Sequence, residues 1–237
     1  MLKKIRNAYI IDLIFSHLRN TIKLNIIKYN NALLSRLNIT KEDFKAYKNL
    51  KEFNEKYNLN IEDVDITELD LSNHHFGNKG LEYLAKIKFN KLRILELSHN
   101  QITDINLLEK WNLEKIIILN LIFNQISEIN FLERVHFKEL RELYLINNII
   151  SDINVLERVK FEKLEILNFG NKYKYMNAPA GMNSGNEISN INVLEKVNFK
   201  NLKVLNFSLN NIENINVLQK VKFKELRELN LNHNNSS

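Results

Sequence analysis

The sequence predicts an α/β solenoid, with a parallel β-sheet on the concave face, short helices or helical turns on the convex face, and an N-terminal α-helical cap. Three observations predict it. Apolar residues recur at fixed offsets with a 24-residue period. Each unit pairs a period-two segment with a period-three segment. Residues 1–60 stand outside the repeat and are spaced for helices instead.

In the N-terminal segment, Ile5, Tyr9, Leu13, Phe15 and Leu18, then Ile22, Ile26, Ile27, Leu33, Leu34 and Leu37, fit two amphipathic helices. A third runs through Phe44, Tyr47, Leu50 and Phe53, with Thr40 as its N-cap and acidic residues in its first turn. Basic Lys3, Lys4 and Arg6 precede an apolar stretch, but Asp12 interrupts it and no small-x-small cleavage site follows, so a helix is expected rather than a signal peptide.

Residues 61–237 hold the repeat. Units open near Ile66, Leu92, Ile116, Leu140, Leu164, Leu202 and Leu226. From Leu92 onward the gaps are 24, 24, 24, 38 and 24, so one unit carries 14 extra residues, an insertion at about 171–185. Leu95-x-Leu97 alternates and reads as a strand with one buried face. Ile153, Leu156 and Val159 are spaced by three, which suits a helical turn. Neither element buries its apolar side alone, so successive coils must stack. Asn100, Asn124, Asn148, Asn186, Asn210 and Asn234 fall in register, where a side-chain amide can satisfy buried backbone groups in the bend. The unit opening near Ile66 differs: His74 takes the asparagine position, and Gly77-Asn-Lys-Gly80-Leu81 points to a longer convex helix.

The run Leu92-Arg-Ile-Leu95-Glu-Leu97-Ser-His-Asn100-Gln-Ile102 resembles the leucine-rich-repeat pattern LxxLxLxxNxI, and the unit length resembles the short-repeat class typified by a protein phosphatase regulatory subunit. The resemblance implies a right-handed coil and an asparagine ladder. Ile14-Phe15-Ser16-His17-Leu18 and the stretch Lys23–Asn30 resemble an F-box, without that family's leucine-proline start. That resemblance implies an SCF-type adaptor as partner of the N-terminal helices; the other reading of the same helices is a cap over the first coil.

Composition narrows the function. The chain has no cysteine, which excludes disulfides and thiolate chemistry and fits a reducing compartment. No apolar run approaches the ~20 residues that span a bilayer. A cytoplasmic protein without membrane partners is expected. The net charge of +6 is spread among alternating Lys and Glu rather than gathered in a stripe, so no nucleic-acid partner is expected. The five glycines form no phosphate loop, and the six histidines show no zinc spacing. No catalytic residue, metal or cofactor is expected.

Offsets two, four and six from each opening residue point to the hollow. They place Ile94, Ile118, Ile166 and Val204 in one row, broken by Glu142, with Ile122, Tyr144 and Ile146 beside it. An apolar cluster with no core to enter marks a contact surface. Tyr173 and Tyr175 in the insertion extend it at the rim. The expected function is a non-enzymatic protein–protein interaction scaffold; the alternative is an F-box-like substrate receptor. The last strand, Leu226–Leu231, offers an edge for self-association.

Overall fold

The computed structural model describes residues 41–87, 89–111, 113–172 and 185–235, with Leu18 and Ile22. The two predicted N-terminal helices, the F-box-like stretch, the Thr40 cap, Tyr173 and Tyr175 lie outside these residues apart from Leu18 and Ile22. The chain divides into two compact units, Met1–Asp65 with Lys86–Lys88, and Ile66–Ala85 with Phe89–Ser237.

The first unit contains helix α1, Lys41–Tyr57. Its buried residues Ala46, Tyr47, Leu50 and Phe53 recur every three or four positions and form one face. The helix is followed by a tight return: Asn58 is left-handed, the Leu59 N–H donates to the Asn54 carbonyl, and the Asn54 side chain both donates to and accepts from Ile61. The Tyr47 hydroxyl donates to Asp63 at 2.5 Å.

The second unit is a single sheet of seven parallel strands in chain order. The strands are β1 (Glu68–Asp70), β2 (Ile94–Glu96), β3 (Ile118–Asn120), β4 (Glu142–Tyr144), β5 (Ile166–Asn168), β6 (Val204–Asn206) and β7 (Glu228–Asn230). The central leucines Leu69, Leu95, Leu119, Leu143, Leu167 and Leu205 are buried, while their flanking residues face outward. Registered pairing aligns these leucines across the sheet. A register slip by one residue would turn every leucine to solvent.

The first coil returns through α2, Gly77–Leu84, which buries Leu81 and Leu84. Gly80 is required there, because a Cβ would lie 2.0 Å from the buried Phe76 ring. The later coils return through 3₁₀ turns at Asn106–Lys110, Asn130–Glu133, Asn154–Glu157, Asn192–Glu195 and Asn216–Gln219. Four are opened by an Asp or Asn side-chain oxygen that accepts the N–H two residues on: Asp104, Asp152, Asn190 and Asn214. Such short 3₁₀ turns suit a 24-residue coil because they return the chain with few residues.

Phenylalanines fill the ends of the core. Phe169 and Phe207 stack at 5.5 Å with planes 2° apart, and Phe137, Phe161 and Phe199 form a second column at 6.1 and 6.4 Å. Outside, ion pairs bind each coil to the next: Glu109–Arg134, Glu133–Arg158, Glu157–Lys196 and Glu195–Lys220. All are exposed, so they add little individually to stability.

Candidate functional site

The asparagine register is a bonded ladder. The Asn124 amide donates to Leu97 O of the preceding coil at 2.9 Å and to Leu121 O of its own at 3.1 Å, while its oxygen accepts the Ile102 N–H at 3.0 Å. Asn148 repeats this with Leu121 O, Leu145 O and the Ile126 N–H. Asn100, Asn186, Asn210 and Asn234 do the same in their coils. Each side chain thus satisfies three backbone groups that the inward bend removes from water.

The insertion is closed by a residue that the repeat pattern does not single out. Asn171 accepts the Asn186 N–H at 2.7 Å, donates to Asn186 O at 3.0 Å, and donates to Leu209 O of the next coil at 2.7 Å. The neighbouring Lys172 N–H donates to Asn147 at 2.6 Å. Gly185 closes the other side at φ +108°, and a Cβ there would sit 2.5 Å from the Asn171 side chain.

The sheet's exposed face carries two registered rows. The first reads Ile94, Ile118, Glu142, Ile166, Val204 and Glu228 across β2–β7. Glu142 therefore separates two aliphatic pairs. The second reads Asp70, Glu96, Asn120, Tyr144, Asn168, Asn206 and Asn230. Ile94, Ile118, Ile122, Tyr144, Ile146, Ile166 and Val204 are all half-buried, outside the core proper.

Polar groups in the second row are arranged by the backbone. Asn120, Asn168, Asn206 and Asn230 each accept the N–H two residues on, at 2.8–3.0 Å. The amide N–H groups of Asn168 and Asn206 make no hydrogen bond among the described residues, and both side chains line the hollow described next. Tyr144 donates to Glu142 at 2.7 Å. Burial, reinforced by the Glu142 carboxylate, holds the phenol well above its usual range, so Tyr144 offers a neutral ring with its hydroxyl already engaged.

At the strand exits the face deepens into a hollow of about 440 Å³, where Ile122 and Ile146 come together. Asn168 and Asn206 line one side of it, and Lys172, the residue at which the insertion departs, lines the rim. His99 and Phe123 complete the wall, stacked at 4.4 Å with planes 22° apart. Burial, then the charges of His75 and Lys172, lower the His99 pKa, so the ring is neutral at neutral pH. Both residues are left-handed, φ +58° and +52°, at a bend position where Asn73 and Asn147 stand in other coils. A bulky aromatic in that conformation is strained, and such strain gathers at contact sites. The recurring residue just before the ladder asparagine was the sequence signal for this wall.

Among the described residues, no group of His, Asp and Glu could hold a metal ion, and no helix is long and apolar enough to cross a membrane.

A model of the Leucine Rich repeat family matches residues 65–85 and 90–105. Among solved structures, the chain is similar to internalin C2 of Listeria monocytogenes, at 25% identity and a TM-score of 0.50, with 79% of this chain and 84% of that chain covered. An internalin F of the same organism is 20% identical at a TM-score of 0.36, with 80% and 75% covered. A leucine-rich-repeat protein of Leptospira interrogans is 19% identical at a TM-score of 0.43, with 74% and 43% covered. In sequence, no curated protein matches the chain. The family pattern on the first two coils and a backbone similar to that of internalin C2 identify the fold of this chain as a leucine-rich-repeat solenoid.

Proposed function

We propose that the chain is a protein-interaction scaffold that holds an extended segment of a protein partner along the exposed face of its sheet. The observation that supports it is the hollow at the strand exits. Its wall of Ile122, Ile146, Phe123 and His99 suits an apolar side chain, and the spare N–H groups of Asn168 and Asn206 suit backbone carbonyls of the partner. Tyr144, Ile94 and Ile118 continue the contact along β2–β4, and Ile166 and Val204 along β5 and β6.

Peptide display tests the reading. Peptides selected on the full chain should bind it with their apolar residues as anchors. The triple variant Ile122→Glu, Tyr144→Ser, Ile146→Glu should fold and lose them by about tenfold or more, as expected when anchors are removed from an apolar wall. Equal binding to a folded triple variant would remove this face from the interaction.

A further inference from the structure

The opposite end of the same face, where the strands enter, carries a second hollow of about 550 Å³. Its floor is aliphatic: Ile94, Ile117 and Ile118. Its rim is cationic, with exposed Lys91, Arg93 and Lys115 from two adjacent coils. Glu68 is the one carboxylate among its lining residues.

Later coils show what normally happens at these offsets. Lys163 pairs with Glu139 at 2.7 Å, and Arg141 and Lys203 converge on Glu165. Those cations are neutralised by an acid in the neighbouring coil. In the early coils that pairing is not made, because Glu139, the acid one coil beyond Lys115 at the same offset, is engaged by Lys163. Position 117, where that alternation would set an acid beside Arg93, is isoleucine, and position 115, equivalent to Glu139, is lysine. Arg93 and Lys115 form no salt bridge among the described residues. The charges of Arg93 and Lys115 thus stand beside a half-buried aliphatic floor, a combination complementary to an acidic ligand with one apolar side chain.

We propose that this strand-entry hollow is a docking site for an acidic segment of a protein partner, with one aliphatic side chain on the Ile94–Ile117–Ile118 floor and flanking carboxylates at Arg93 and Lys115. The proposal rests on the scaffold reading and deepens it, because Ile94 and Ile118 belong both to this hollow and to the apolar row. A partner strand lying along the face would meet an amide-rich exit with one lysine, Lys172, and an entry where several cations gather, so the site assigns the partner a direction as well as a composition.

Fluorescence anisotropy tests it with the full chain at about 50 mM salt, where exposed charges are weakly screened. The probe is a labelled peptide with one leucine between two pairs of glutamates. Binding is expected, weakening about tenfold or more in Arg93→Glu, Lys115→Glu and at high salt, as for a charge-complementary contact. Replacing the leucine by serine should weaken it similarly. The exit-side variant Ile122→Glu, Ile146→Glu should leave this peptide's binding intact, so loss of the proposed exit contact and loss of the acidic site are read separately. Absence of binding, or binding unchanged by the Arg93 and Lys115 reversals, overturns the proposal. So does equal affinity for polyglutamate or for a single-stranded oligonucleotide of matched charge, because the aliphatic floor would then play no part.

Discussion

The Asn171 side chain accepts the backbone N–H of Asn186 at 2.7 Å, so the two stems of the insertion are joined by a side chain rather than by strand pairing. The same amide reaches Leu209 O in the next coil. Asn171→Ala should therefore strand buried backbone groups on two coils and cost about 1–3 kcal/mol. Equilibrium denaturation would show it; an unchanged midpoint would mean that solvent replaces all three bonds.

In the ladder itself, Asn124→Ala is expected to cost about 1–3 kcal/mol for the same reason. Leu121→Ala, in a fully buried side chain, should cost about 2–5 kcal/mol through the cavity it leaves. A thermal melt of each variant checks both, and an unchanged Asn124→Ala melt would mean that the registered asparagine does not stabilise the backbone it bonds.

The carboxylate of Glu96, on the exposed face of the sheet, titrates above its ordinary value of 4.5, chiefly from burial, opposed by a hydrogen bond from Asn120 and aided by the charges of Asp70 and Glu142. In the pH window above 4.5 the folded state binds this proton more tightly than the unfolded chain does. Stability from this group is thus present below that window and is lost as pH rises through the raised value. Glu96→Gln should be more stable than the wild type at neutral pH, and the difference should vanish below pH 4.5. Stability curves against pH that run parallel for the two proteins would contradict it.

Gly170 leaves room for polar side chains of the next coil: a Cβ there would lie 2.8 Å from Asn206 Oδ1 and Ser208 Oγ. Both neighbours are half-exposed and can shift, so Gly170→Ala should keep the fold, at a cost of about 1–3 kcal/mol for overpacking. Displacing the Asn206 amide should nevertheless reduce affinity for peptides selected on the exit hollow. Undiminished affinity would show that this amide is not a partner donor.

Strand β7 has no neighbour on its outer side among the described residues, and Leu229 is 38% exposed there. An open edge of this kind pairs readily with a second chain. The chain is expected to self-associate weakly with rising concentration, and Leu229→Lys to suppress it. Sedimentation at several concentrations decides, a single monomer boundary at all of them being the contrary result.

Periodicity alone determined the coil, the parallel strands and the leucines that enter the core, because side-chain alternation has a period of two and a coil that buries one face must repeat its apolar offsets. It also set Asn100, Asn124, Asn148, Asn186, Asn210 and Asn234 in one register. Stacking decided the rest. Asn171 looks like an ordinary loop residue until the stems of the insertion are brought together. His99 and Phe123 are 24 positions apart and look unrelated until adjacent coils place their rings 4.4 Å from each other. The gathering of Lys91, Arg93 and Lys115 around one hollow is likewise invisible in a chain where lysine and glutamate alternate throughout. Pairing between side chains one coil apart depends on distance in space, and the order of residues along the chain carries that distance only after the coils have closed.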